Sequence, residues 1–246
     1  MSDATIVWLD EVGSTMDALH ALAEGGAPAG TAVVARSQAA GRGSRGRSWM
    51  SPPGGLWLSV LSRPAAAGLE LVSLRTGLAV AEQLGRLGAG DRMRLKWPND
   101  LMLDDRKIGG ILCEARWQGT ALAWIVIGLG LNVENRPPAD LATRAARLND
   151  LLPDATADGL AEPIIAAVRE VNAAAGLLTD REHARFAARD WLRGRSIVAP
   201  VAGTPVGVAD DGALLVRRDD GTTSAVRAGT VLLADDPAAA SARSAT

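Results

Sequence analysis

The chain has 246 residues, enough for one large domain or one large and one small. Hydrophobic residues make up 48% and charged ones 22%, near the averages of soluble globular proteins, so wholesale disorder is excluded. A net charge of -2 gives no basic field for nucleic acid or anionic membrane; one cysteine excludes a disulfide framework, and two isolated histidines leave no zinc constellation.

Ile6 to Leu9 reads as a strand, followed by a turn at Asp10-Glu11-Val12-Gly13. Ser14 or Thr15 then stands at a helix N-cap ahead of Met16, Leu19 and Ala23, and Gly25-Gly26 with Pro28 stops that helix. Thr31 to Ala35 and Leu56 to Leu61 are predicted strands around an irregular Gly, Arg, Ser and Pro stretch. Apolar residues at 71, 74, 78 and 81 predict a helix over 69–87. Arg92 to Trp97 and Lys107 to Ala115 read as strands joined by the turn-rich Pro98-Asn99-Asp100 and Asp104-Asp105. A further strand, Ala121 to Ile127, has Gly128 and Gly130 at its exit. Helical patterns follow at Leu141 to Leu148, Ile164 to Leu178 and Thr179 to Leu192.

After Arg193-Gly194 the pattern changes to five short strand candidates, at 196–201, 206–209, 213–216, 222–226 and 231–233. Two of their connections are Asp-Asp-Gly, the residues tight hairpins demand. This suggests a small C-terminal barrel, and the Ala- and Ser-rich residues from Pro237 read as a disordered tail. No secretory signal is visible at the start, and the longest apolar run, Leu122 to Leu131, is too short and too Gly-rich to span a bilayer. A soluble, cytoplasmic protein is expected.

Gly41 to Arg47 matches G-x-G-x-x-G in letters. The dinucleotide reading needs a helix opening on the motif, and Ser51-Pro52-Pro53-Gly54-Gly55 forbids one. Three arginines within seven residues suit phosphate or carboxylate, while a solvated basic loop and an RNA-binding Arg-Gly segment are the competing readings. Two more segments favour a ligand. Lys96-Trp97-Pro98-Asn99-Asp100 sets a cation, an aromatic and a carboxylate at a strand end, and Lys107-Ile108-Gly109-Gly110 heads an apolar strand whose glycines admit close approach.

These residues resemble biotin protein ligases, the biotin–[acetyl-CoA-carboxylase] ligases, of the type without an N-terminal DNA-binding domain. Four blocks in order carry the likeness: Gly41 to Arg47 with Trp49, KWPNDL from Lys96, KIGGIL from Lys107 and IGLGLN from Ile127. The resemblance implies an α+β fold: a catalytic domain over 1–192 with a mixed sheet flanked by helices, then a small SH3-like β-barrel over 193–236. It further implies ATP and Mg²⁺ as cofactors, biotin as substrate, and a biotin carboxyl carrier domain as protein partner. Neither DNA nor membrane is expected as a partner, and relatives are monomers or homodimers. Alternatives are a lipoate- or octanoate-type ligase and a non-catalytic binder of biotin or its adenylate.

By the same likeness Lys107, Arg42 and Asp100 are the catalytic candidates, with Asp100 near any Mg²⁺. Ser14, Thr15, Gln38, Arg42, Gly43, Ser44, Lys107, Gly109 and Gly110 would line the biotin side. Arg45, Arg47, Trp49, Lys96, Asn99 and Asn132 would meet ATP or the adenylate. Trp8, Trp57, Trp97, Trp117, Trp124 and Trp191 read as packing and Cys113 as a buried thiol. Two positions depart from the family: Ser44 stands where its loop carries a second arginine, and Met16 where Ser-Thr-Asn would place asparagine. The first predicts a leakier adenylate; the second removes a polar side chain near biotin.

Overall fold

The structure is a computed structural model describing residues 4–63, 69–138, 141, 143–171 and 176–236. The expected tail from 237 lies outside the described residues. The chain runs β1 (Ile6–Val12), α1 (Thr15–Glu24), β2 (Ala32–Gln38), β3 (Gly55–Ser62), α2 (Leu69–Leu84), β4 (Met93–Lys96), β5 (Asp100–Leu103), β6 (Arg106–Gln118) and β7 (Ala121–Asn132). Then come α3 (Ala157–Val171), α4 (Asp180–Arg189) and five short strands, β8 (Ile197–Ala199), β9 (Thr204–Val208), β10 (Leu214–Arg217), β11 (Thr223–Val226) and β12 (Leu232–Leu233).

The first seven strands form one sheet in the order β1-β2-β3-β7-β6-β5-β4. Only β1 and β2 pair in parallel, with α1 as their crossover; the other pairs are antiparallel, so the sheet is mixed. Alternation along the strands separates two faces. Ile125, Ile127, Leu129 and Leu131 of β7 join the main core with α2 and α3. Val126 turns the other way, into a smaller cluster with Met16, Leu19 and Ala23 of α1. The even-numbered positions Gly110, Leu112 and Glu114 of β6 and Gly128, Gly130 and Asn132 of β7 share that second face.

Several sequence expectations change. The expected turn at Asp10-Glu11-Val12 is strand, because β1 keeps its ladder to β2 through Val12↔Gln38. The turn read at Pro98-Asn99-Asp100 runs on into β5, whose apolar Leu101 to Leu103 is concealed in the sequence by turn residues on both sides and whose first residue is Asp100. A two-residue hairpin at Asp104-Asp105 joins it to β6, with Asp104 at φ 51, a conformation aspartate tolerates. Gly128 and Gly130 lie inside β7, where Leu112 and Gly110 pair with them. Leu141 to Leu148 makes no α-helix among its described residues, and Ala145 instead bridges Lys107. Trp8 and Trp117 are exposed, at 49% and 61%, against the expected packing role, and Cys113 is only half-buried.

All five C-terminal strands form, as a three-stranded antiparallel sheet β11-β10-β9 and a two-stranded sheet β12-β8. Val208, Leu214, Val216 and Val226 continue the main core. The tie to the large sheet is specific: buried Trp97 Nε1 donates to the Gly212 carbonyl at 2.9 Å. Among the described residues no helix is long and apolar enough to cross a membrane.

Candidate active site

A cavity of about 610 Å³ opens on the sheet face that carries α1. One end is polar. Ser14 is the N-cap of α1 and its Oγ accepts from Met16 N at 3.3 Å, so it caps and lines the cavity at once. Thr15 N and Oγ1 both donate to Gln38 Oε1, at 2.9 and 3.2 Å, and Thr15 Oγ1 meets Ser59 Oγ at 2.9 Å. Gln38 Nε2 donates to Ser51 Oγ at 2.8 Å. Nothing in the sequence points to Ser59 or Ser51, since each lies in a segment with no motif of its own. Met16 packs beside Gly128: a Cβ on that glycine would stand 2.8 Å from Met16 Sδ. The apolar Met16 is therefore accommodated by the absence of a side chain opposite.

The other end is charged. Leu101 pairs with Gly109 and Met102 with Lys107, so Ile108 is the extra residue of a bulge. The bulge sends Ile108 into the core and brings Lys107 over Gly110 on the cavity side. Lys107 Nζ donates to Asp100 Oδ1, and sits 5.1 Å from the centre of the Trp49 ring. Lys96 lies 5.2 Å from the Trp191 ring, and burial holds its ammonium below the ordinary lysine range although Asp100 opposes that shift. Asn99 Nδ2 donates to the Ile111 carbonyl at 2.8 Å, and Asn132 Nδ2 to the Ala146 carbonyl at 3.1 Å. Both asparagines thus brace the wall they line. Trp191, read as packing, also reaches the cavity, as do Asp105, Arg144 and Asp236. The helical pattern of 141–148 hides Arg144 in the sequence.

The Arg-Gly segment runs along the cavity mouth. Arg42, Gly43, Ser44, Arg47 and Trp49 line it. Arg42 donates to Asp17 Oδ2 at 2.7 Å and to Glu114 at 3.3 Å; the Asp17 bond raises its pKa, and Arg42 in turn holds Asp17 below the usual carboxylate range. Arg47 folds back, its Nη2 donating to Ser44 Oγ at 3.0 Å. Trp49 lies against Gly130, and its Nε1 is buried with no hydrogen-bond partner among the described residues.

Two expected site residues do not line the cavity. Arg45 is exposed at the tip of the segment in a left-handed conformation, φ 61. Gly109 faces the main core, where a Cβ would stand 2.7 Å from the Gly130 carbonyl; its role is close strand packing. Among the described residues no three His, Cys, Asp or Glu side chains stand together to hold a metal ion. Asp100, a carboxylate of the cavity wall, is engaged by Lys107.

The profile of the Biotin/lipoate A/B protein ligase family matches residues 8–132, just over half of the chain. The bifunctional ligase/repressor BirA of Escherichia coli is 51% identical over 113 residues, covering 44% of this chain and 34% of that protein. The biotin–[acetyl-CoA-carboxylase] ligase of Paracoccus denitrificans is 37% identical over 110 residues, 44% of this chain and 46% of that one. The alignments thus span less than half the length of these curated relatives. Among solved structures, the biotin protein ligase of Aquifex aeolicus in complex with biotin and ATP superposes with a TM-score of 0.78 at 26% identity, covering 93% of this chain and 98% of the other. The cavity, with its four motif segments in one place, and the matched profile agree: the chain belongs to the Biotin/lipoate A/B protein ligase family.

Proposed function

We propose that the protein is an ATP-dependent biotin–protein ligase that joins biotin to a lysine of a biotin carboxyl carrier domain through biotinyl-5'-AMP. The observation carrying this reading is one cavity with two unlike ends: a hydroxyl and amide cluster at Ser14, Thr15 and Gln38, and cations at Lys107, Lys96 and Arg47. Biotin has the same asymmetry, a urea ring that exchanges hydrogen bonds and a carboxylate that must meet a triphosphate. A dithiolane or an alkyl chain would leave the polar end without partners, which disfavours lipoate and octanoate.

In the first step a biotin carboxylate oxygen attacks the α-phosphorus, and the bond to pyrophosphate breaks. Like charges 4 Å apart repel by about 1 kcal/mol in water and about 4 kcal/mol at an effective dielectric near 20, so excluding water helps only where cations accompany the substrates. Lys107 is placed to hold the carboxylate and α-phosphate together and to bear the developing charge. Lys96 and Arg47 serve the phosphates, and the free donor at Trp49 Nε1 faces the nucleotide end. Asp100, Asp105 and Asp236 are the carboxylates that line the cavity and would meet a Mg²⁺ brought in with the polyphosphate, which would supply charge neutralisation there. In the second step the carrier amine attacks the acyl carbon, AMP leaves with the oxygen, and the amine proton passes to water. We assign residues 1–192 to the catalytic unit and 193–236 to an SH3-like barrel, and place the reaction in the cytoplasm.

Incubation with biotin, MgATP and a carrier domain should add one biotinyl group, read by mass, and biotin should drive pyrophosphate exchange into ATP. Exchange with lipoate alone would replace biotin as the substrate. Exchange with neither would make the chain a binder.

A further inference from the structure

The buried His20 belongs to none of the motif segments, yet it connects the core to the Arg-Gly segment. It sits on the apolar face of α1 at 4% exposure, against Trp124 of β7. Trp124 Nε1 donates to His20 Nδ1 at 3.0 Å. An indole N–H only donates, so Nδ1 carries no hydrogen and the imidazole proton is on Nε2. Nε2 then donates to Glu114 Oε2 at 3.2 Å. The same carboxylate accepts from Arg42 Nε and Nη2, both at 3.3 Å, while Asp17 takes Nη1. All three guanidinium nitrogens are thereby tied to α1 and β6. Beyond Arg42 the segment bonds mainly to itself, through Gly43 N to the Arg47 carbonyl and Trp49 N to the Gly41 carbonyl.

We propose that His20, acting through Glu114, is a positioning residue that fixes Arg42 and so holds the Arg-Gly segment over the cavity. A leucine would fill this helix position with less desolvation cost, and the imidazole differs from it by reaching Glu114. The arrangement is sensitive to acid. Protonation puts a hydrogen on Nδ1 facing the Trp124 N–H, two donors meet, and the ring must leave its seat. The charges that face His20 are Asp17 on its own helix, Glu114 and Arg116 from β6, and Arg42 from the segment; Arg63 stacks on Trp124 at 5.4 Å. Burial is the largest influence and keeps the imidazole neutral to lower pH than usual, so the anchor is intact at neutral pH and fails on acidification.

Limited trypsin digestion of the unliganded chain reads this anchor directly, because Arg42, Arg45 and Arg47 are cleavage sites there. His20→Leu and Glu114→Gln should each speed cleavage in the segment by about fivefold or more. In pyrophosphate exchange, which rests on the ligase reading, each should raise KM for biotin by a similar factor with kcat within about twofold. The double variant should be cleaved no faster than either single one, since both break the same chain of bonds. His20→Gln, with an amide donor directed at Glu114, should restore most of the protection and lose the acid limb of the wild-type pH profile. Unchanged cleavage in both single variants, multiplicative effects, or a His20→Leu effect confined to a lower melting temperature would each overturn the proposal. Should the wild-type chain show no exchange, the ligase reading falls, while the trypsin rates still decide whether His20 anchors the segment.

Discussion

The indole of Trp49 rests on the bare backbone of Gly130: a Cβ built there would stand 2.6 Å from Nε1 and 3.0 Å from Cε2. That contact, together with Lys107 on the ring, holds the Trp49 end of the Arg-Gly segment against β7, as Arg42 holds its start. Gly130→Ala should therefore push Trp49 off this seat, at the end of the cavity we propose takes the nucleotide. A misplacement of about 1 Å at a substrate-positioning group costs up to about a hundredfold in rate. We expect kcat/KM for ATP in pyrophosphate exchange to fall by about tenfold or more, with a melting temperature within a few degrees of wild type. An unchanged kcat/KM would remove Trp49 from the nucleotide site.

Lys107 owes its position to the bulge at Ile108 and is held by Asp100 from the neighbouring strand. Lys107→Ala should lower adenylation by roughly a thousandfold or more, the scale set by loss of one preorganised charge at a transition state. Carrier biotinylation, read by mass, should vanish with it. Asp100→Asn should be milder, because the ammonium remains. Equal losses in the two variants would show that Asp100 does more than orient the lysine.

Ser44 receives the folded-back guanidinium of Arg47. An arginine at 44 removes that acceptor and adds a fourth fork to the segment, beside Arg42, Arg45 and Arg47. Ser44→Arg should slow release of biotinyl-AMP by about tenfold, the worth of one charge-assisted contact. Stopped-flow release or capture of free adenylate by an added amine measures this. A release rate equal to or faster than wild type contradicts it.

Away from the cavity, Glu182 at the start of α4 is bound by buried Arg75 of α2, with Nε to Oε1 at 2.6 Å, and it also closes a capping box with Thr179. Burial alone would raise its pKa, but the Arg75 and Thr179 bonds outweigh burial and take it from 4.5 to about 2. The unfolded chain therefore binds this proton first as pH falls. The stabilisation is full above pH 4.5 and is gone once pH has passed through about 2. A shift of that size corresponds to about 3 kcal/mol. Glu182→Gln should cost about 2–3 kcal/mol at pH 7 in urea unfolding, and that cost should shrink steadily below pH 4.5 to a small remainder near pH 2. An equal cost at both pH values would assign the loss to packing.

Local chemistry makes much of this molecule legible. The Ser14 cap, the Asp-Asp-Gly turns, the helical stripe from Leu71 and the five C-terminal strands all rest on neighbours a few residues apart, and all five strands and the cap are present. β5 escapes a reading of the sequence because Leu101 to Leu103 is three apolar residues between turn formers, too short to show a period. Gly109 is misassigned to the cavity because a glycine pair gives no sign of which member faces the ligand; β-alternation answers that only once the bulge at Ile108 is known.

What the letters alone marked out is the set of segments that line the cavity, since Gly-rich turns, strand-end lysines and capped helices follow from each residue's own conformational and hydrogen-bonding preferences. Which side chains share a wall was decided by folding. Thr15 meets Gln38 across 23 positions and Arg42 meets Glu114 across 72, and His20 enters the site through Glu114. Those encounters depend on strand register, and no spacing along the chain encodes them.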